Sequence, residues 1–135
     1  MNRTLGRRMW IPIVLTMAAT CCGPASLTEL TRTKSGTLDV VLLSPRDALR
    51  HGSDTFVIEF RSASGELTDV GTVRASASMS MSGTPMMGTV DVARTDVPGR
   101  YAATSEFSMA GTWRMTIQWE GPSGPGSVTF PGSVQ

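Results

Sequence analysis

The segment Thr112-Trp-Arg-Met-Thr-Ile-Gln-Trp-Glu120 alternates polar and apolar residues along its whole length. Trp113, Met115, Ile117 and Trp119 share one parity, and the polar residues share the other. A period of two residues is typical of a β-strand that buries one face. The segment therefore predicts a strand whose aromatic face packs into a core.

Similar short segments recur on both sides of this strand. Turn residues (Gly, Pro, Asp and Ser) separate them, and no long helical period is present. The further strands that we expect are Leu38–Leu43, Thr55–Phe60, Val73–Met81, Thr89–Ala93, Tyr101–Phe107 and Val128–Phe130. About seven short strands predict an all-β antiparallel sandwich, with a small barrel as the alternative.

Length and composition limit the classes of protein to consider. The chain has 135 residues, which predicts one domain, and 40% of them are apolar, which is enough for a core. The formal net charge of +1 leaves no basic excess for binding nucleic acid. One histidine and two adjacent cysteines exclude a zinc finger, a C-x-x-C redox motif and a disulfide scaffold.

The first residues have the pattern of an export signal. Residues 1–8 contain three arginines and no acid, and the apolar run Met9–Thr20 is too short to span a bilayer as a helix. The run leads through Ala18-Ala19-Thr20 into Cys21, which resembles a bacterial lipoprotein signal with Cys21 as the lipidated residue. Cys22 is a second candidate, and an ordinary signal peptide or a short uncleaved anchor is the alternative.

These features predict three regions: a signal peptide at 1–20, a lipid-anchor cysteine and tether at 21–35, and the sandwich at 36–135. We expect an exported protein, anchored to the membrane on its periplasmic or extracellular side. Removing the three leader arginines from 12 basic and 11 acidic residues leaves a net charge of −2. That charge gives no reason to expect nucleic acid or anionic lipid as a partner.

No catalytic arrangement stands out. The single histidine, His51, lies in an expected turn, and the nucleophile, zinc-protease and phosphate-loop motifs are missing from the sequence. We therefore expect a protein that is not an enzyme, and no small-molecule substrate is indicated.

Methionine is concentrated in one stretch, Met79-Ser-Met-Ser-Gly-Thr-Pro-Met-Met87. Thioether sulfur is a soft, neutral ligand that suits Cu(I). The candidate ligands, expected to meet at one end of the sandwich, are Met81, Met86, Met87 and Met109. Plain packing is the alternative, because Met79 and Met81 continue the core parity of Val73–Ala77 and methionine commonly fills cores.

The second half of the chain resembles the YtkA-like domain, which is related to the FixH group of small exported or membrane-tethered bacterial proteins. The resemblance lies in Met79-Ser-Met81, Pro85-Met-Met-Gly88, Pro98-Gly-Arg-Tyr101 and Met109-Ala-Gly-Thr-Trp113, within residues 36–132. It implies an immunoglobulin-like sandwich outside the cytoplasm, often lipid-anchored, with some relatives near copper handling and oxidase assembly. Relatives with a copper role tend to place histidine near the methionines, and this stretch has none.

Three functions remain open at this point. The first is an extracytoplasmic module that binds Cu(I) for metal handling or oxidase assembly. The second is a displayed sandwich whose exposed methionines contact a protein partner, since flexible methionine side chains form adaptable binding surfaces. The third is an accessory domain of a transporter, without metal.

Overall fold

A computed structural model describes residues 26–135, which form β-strands joined by turns. The strands are β1 (Thr28–Ser35), β2 (Leu38–Ser44), β3 (Gly52–Arg61), β4 (Thr72–Met79), β5 (Met86–Arg94), β6 (Arg100–Phe107), β7 (Gly111–Gly121) and β8 (Gly124–Val134). The expected signal peptide, Cys21 and Cys22 lie outside the described residues. Between residues 26 and 135 there is no helix with the length and hydropathy needed to cross a membrane.

Hydrogen bonds join the strands in the order β1-β2-β3-β6-β5-β4-β7-β8, and every neighbouring pair is antiparallel. β5 links two layers, because Met86–Gly88 pair with β4 whereas Thr89–Arg94 pair with β6. Phe60 on β3 and Trp119 on β7 are not sheet neighbours, yet their ring centroids lie 5.1 Å apart. The sheet is therefore folded on itself into a sandwich.

The connectivity of β2–β8 is that of an immunoglobulin constant-type domain. One layer contains β2-β3-β6-β5 and the other contains β4-β7-β8. β1 extends the first layer beyond β2, which gives eight strands in the described residues instead of the seven expected. β1 and β8 are the outer strands and do not pair with each other, so the immunoglobulin-like sandwich is confirmed and the closed barrel is wrong.

The residues that the alternation pattern predicted to face inward are the residues that form the core. All four apolar residues of the opening segment are buried, and they pack with side chains of the facing layer. Those facing side chains include Val40, Leu42, Phe56, Ile58, Phe60, Tyr101 and Phe107. Apolar burial of this kind is the main favourable term in folding.

The tether expected at 21–35 ends earlier than predicted, because residues 28–35 form β1. Gly36 has a φ of 61° in the two-residue turn that returns the chain to β2. Arg32 Nη1 lies 3.1 Å from Asp39 Oδ2, and Lys34 Nζ lies 3.3 Å from Asp39 Oδ1. In this outer strand, ion pairs take the place of the apolar alternation that predicted the other strands. β1 was therefore not predicted from the sequence.

Several strand boundaries also differ from prediction. β3 begins at Gly52 and β5 at Met86, each three residues before the expected start, so Met86 and Met87 lie within β5 and not before it. β4 ends at Met79, two residues before the expected end, and β8 extends over 124–134 where only Val128–Phe130 were expected. The extra length of β8 contains Pro125 and Pro131. Proline cannot donate to a β-ladder, but an outer strand leaves one row of backbone groups unpaired and so tolerates it.

Glu59 is 1% exposed although its strand position lies on the outer face of the first layer. Its carboxylate pairs with Arg61 and, at 2.9 Å, with Arg100 Nη2. Buried charges require such partners because an unpaired ion loses its hydration without compensation. The two arginines therefore allow an acidic residue to lie under the surface of the sheet.

Replacing Trp113 with alanine tests the core. Trp113 is 1% exposed and lies against Phe107 with ring centroids 5.0 Å apart. Trp113→Ala should lower the free energy of unfolding by about 3–5 kcal/mol, as large-to-small changes in cores do. Chemical denaturation measures this loss. Val97→Ala, at an exposed position, should change stability by less than about 0.5 kcal/mol. Equal effects of the two variants would contradict the assignment of the core.

Candidate functional site

One end of the sandwich contains the methionines of the stretch 79–87 together with Met109. We call this end the methionine pole (residues 79–88 and 108–111). The loop at 80–85 joins β4 to β5, and the turn at 108–110 joins β6 to β7. Gly83 has a φ of 101°, which favours glycine, and Pro85 directly precedes β5. The hydroxyl of Ser108 donates a 2.8 Å hydrogen bond to Met86 Sδ and so connects the two segments.

Met79 and Met86 lie directly opposite each other on β4 and β5. Residues in such positions have Cβ atoms about 5 Å apart. Both are partly buried and pack against the core. A Cβ at Gly111 would lie 2.6 Å from the Met79 methyl carbon, so the absence of a side chain there leaves room for Met79. The alternation of residues in the sequence places Met79 in the core and gives it no role as a ligand. Its position opposite Met86 depends on strand pairing, which the sequence does not indicate.

Met87 faces away from Met86. Successive side chains of a strand point to opposite faces. Met86 packs against the core, whereas Met87 is 66% exposed. On the outer face, Met87 lies opposite Ser78 of β4. The two neighbouring methionines that the sequence placed in one site are therefore separated by the backbone of β5.

Met81 and Met109 are exposed in the loop and in the turn of the methionine pole, at 46% and 39%. The carbonyl of Met109 accepts a 3.1 Å hydrogen bond from Trp113 Nε1, which fixes the turn to the core. Among residues 26–135, Met81, Met87 and Met109 are three of the four exposed large apolar side chains. All four predicted ligand residues thus lie at this end, with Met87 on the opposite face of β5.

Harder metal ligands do not gather anywhere in the described part of the chain. No group of three or more His, Cys, Asp or Glu side chains there is arranged to hold a metal ion. His51 Nδ1 lies 3.1 Å from the Gln135 carbonyl oxygen. A carbonyl can only accept, so Nδ1 is the donor in this contact. The methionine pole itself therefore offers thioether sulfur as its metal-binding chemistry.

The family model described as YtkA-like matches residues 32–118, which contain every residue of the methionine pole. The chain belongs to the YtkA-like family. The resemblance seen in the sequence is thereby confirmed. No curated protein matches the chain. Among solved structures, the crystal structure of the Lin-41 filamin domain is similar, with a TM-score of 0.45 and 19% identity over 65% of this chain and 81% of that one.

Oxidation by hydrogen peroxide tests the opposite orientations of Met86 and Met87. The peroxide transfers one oxygen atom to a thioether sulfur, which gives the sulfoxide and water. Met87 is exposed, whereas Met86 is partly buried and its sulfur accepts the Ser108 hydrogen bond. Time-resolved peptide mass spectrometry should show Met87 oxidised several-fold faster than Met86. Equal rates would mean that the two sulfurs share one environment.

Proposed function

We propose that this YtkA-like protein is an exported, lipid-anchored and non-enzymatic sandwich domain that binds Cu(I) at its methionine pole. The observation that carries the proposal is the gathering of methionines at one end, where Met79 lies opposite Met86 and Met81 and Met109 are exposed beside them. Exposed methionine is unusual, because this flexible apolar side chain normally fills gaps in cores. A binding role accounts for its exposure.

The ligand chemistry favours Cu(I) over other ions. Thioethers are soft and neutral, which suits Cu(I) and not Mg²⁺, Ca²⁺ or Zn²⁺. Within the described residues no cluster of carboxylates, imidazoles or thiols competes for harder ions. A thioether also needs no deprotonation, so binding at this site would persist in an acidic compartment.

The proposed ligand set centres on Met86. Its sulfur has a fixed orientation because Ser108 donates a hydrogen bond to it at 2.8 Å, and a second lone pair stays available. Met79 approaches from the neighbouring strand, and Met81 and Met109 can swing in from the adjoining loop and turn. Met87 is left out of this set, because it faces the other side of β5.

The course of the chain supports a membrane-proximal site. Thr28, at the start of β1, pairs with Ser44 at the end of β2. β3 begins at this same end of the sandwich, where Gly52 pairs with Phe107 just before the turn of the methionine pole. Cys21 precedes Thr28 by seven residues, a span of at most about 24 Å. A lipid on Cys21 would therefore keep the methionine pole near the membrane surface, where metal could pass to a membrane protein such as an assembling oxidase.

A second candidate function is protein binding without metal, as an interaction module or a transporter accessory domain. The exposure of Met87 favours it, because Met87 projects from the outer face, away from the proposed ligands. Methionine side chains adapt to varied partner surfaces. The metal and interaction functions therefore make opposite predictions for the neighbouring residues Met86 and Met87.

Competition with a chromophoric Cu(I) chelator tests the metal function. The full chain, purified in mild detergent under reducing conditions, should remove about one equivalent of Cu(I) from the chelator. Met86→Leu should weaken the affinity about tenfold or more, because it removes a sulfur and keeps the apolar volume. Met87→Leu, the matched control, should leave the affinity unchanged.

Two results would contradict the metal function. An unmutated chain that leaves the chelator fully loaded would exclude Cu(I) binding and leave the interaction module. Equal losses in Met86→Leu and Met87→Leu would show that the site is not on the inner face of β5. Thermal melting of both variants verifies that they remain folded.

A further inference from the structure

The end of the sandwich opposite the methionine pole contains a cleft of about 760 Å³. Its walls are the β1–β2 turn, the loop between β3 and β4, and the β7–β8 turn. Clefts of this volume commonly hold small ligands. The methionines and the proposed Cu(I) site have no part in it.

The lining of this cleft is polar but uncharged. Leu38, Val70 and Trp119 contribute apolar surface. Hydroxyl side chains supply the polar surface, and no ionisable side chain lines the cleft. The hydroxyl-bearing residues are Ser35, Thr37, Ser62, Ser64, Thr68 and Ser123. We call it the hydroxyl cleft.

The loop that forms one wall is held in place by hydrogen bonds. The Thr68 N–H donates to the Phe60 carbonyl at 2.8 Å, and the Ser62 N–H donates to the Glu66 carbonyl at 2.8 Å. The Tyr101 hydroxyl donates to the Gly71 carbonyl, also at 2.8 Å. A wall fixed in this way loses little further conformational freedom when a ligand binds.

Two charged groups beside the cleft, Asp69 of the same loop and Arg61 at the end of β3, are engaged elsewhere. The carboxylate of Asp69 accepts from the Gly71 N–H at 2.9 Å and pairs with Arg94 at 3.2 Å. The Gly71 hydrogen bond, followed by Arg94, lowers the pKa of Asp69. Arg61 is bound to Glu59 and to the Gly65 carbonyl. These pairings leave the hydroxyl cleft without a fixed charge to compensate an ionic ligand.

Trp119 provides a hydrogen-bond donor that has no protein partner. Trp119 is 7% exposed, its indole N–H makes no hydrogen bond to any of the described residues, and Nε1 is not one of their fully buried polar atoms that lack a partner. The indole N–H of Trp113, by contrast, donates to the Met109 carbonyl.

The free donor lies at the cleft wall. A Cβ on Gly126, which also lines the hydroxyl cleft, would be 2.5 Å from Trp119 Nε1. The indole edge therefore lies directly over the Gly126 backbone. Trp119 and Gly126 also line a neighbouring depression that contains Arg74 and Glu120. In the binding mode that we propose, an acceptor in the hydroxyl cleft pairs with this N–H.

We infer that the hydroxyl cleft is a binding site for a neutral saccharide. Sugar hydroxyls can both donate to and accept from the serine and threonine rim, and a ring oxygen or hydroxyl can accept from Trp119. The apolar surface of Leu38, Val70 and the indole suits the C–H face of a sugar ring. An extended peptide is disfavoured, because two turns and a loop form the walls, whereas strand addition needs a free strand edge.

Nuclear magnetic resonance of the tryptophan indole groups tests this inference. The ¹⁵N-labelled full chain in detergent is titrated with neutral hexasaccharides of glucose and of N-acetylglucosamine at millimolar concentrations. One or both should shift the Trp119 indole signal saturably and leave the Trp113 signal in place. Trp119→Phe, which assigns the signal and removes the donor, should weaken binding about tenfold.

Matched variants and other ligands complete the test. Trp113→Phe removes the equivalent group at the other end and should not change binding. Ser64→Ala on the rim should weaken binding several-fold, whereas Ser76→Ala on the outer face of β4 should not. Failure of both neutral sugars to shift Trp119 would overturn the inference. A larger shift with hexagalacturonate or with tetraglycine would also overturn it, in favour of an ionic ligand or a peptide.

Discussion

The two layers of the sandwich are joined where β5 leaves β4 and pairs with β6, and this change of partner occurs at Gly88 and Thr89. A Cβ on Gly88 would lie 3.1 Å from the Phe107 ring and 3.2 Å from the Trp113 ring. Both rings are buried, so they have little freedom to retreat. The close approach of backbone to aromatic rings at Gly88 therefore fixes how the layers meet.

The position of the methionine pole follows from this contact. Met86 and Met87 directly precede Gly88, and Ser108 directly follows Phe107. When the Gly88 backbone lies against Phe107 and Trp113, the start of β5 and the turn after β6 are brought together. The Ser108–Met86 hydrogen bond is formed at that junction. The hydroxyl cleft, at the other end of the same strands, is formed by different loops, so the two sites are structurally separate.

Alternation in the sequence predicted the strands that bury one face. β3, β6 and β7 bury mostly apolar residues at alternate positions, with Asp54 and Ser105 as polar exceptions, because each strand packs against the facing layer. β1 and most of β8 were missed because they are outer strands. In β1 charged residues pair across the surface, and in β8 glycine and proline interrupt the apolar pattern.

The candidate site was predictable only in part. A run of methionines indicates soft-ligand chemistry without structural information, so the methionine pole could be found from residue types. The separation of Met86 from Met87 could not be found, because it depends on the residue at which β5 begins and on its register with β4. The unpartnered N–H of Trp119 depends on which carbonyls approach it in the fold, and the sequence contains no signal of that.

The proposed Cu(I) binding depends on thioether sulfurs of the methionine pole as the metal ligands. X-ray absorption spectroscopy at the copper edge, on the Cu(I)-loaded full chain, tests it most directly because it identifies the atoms bound to the metal. We predict a first shell of about three or four sulfur atoms, drawn from Met79, Met81, Met86 and Met109, and no nitrogen or oxygen. Met86→Leu should have one fewer sulfur, and Met87→Leu should have the parent spectrum. A first shell of nitrogen or oxygen, or a spectrum that Met86→Leu leaves unchanged, would contradict the proposed Cu(I) binding.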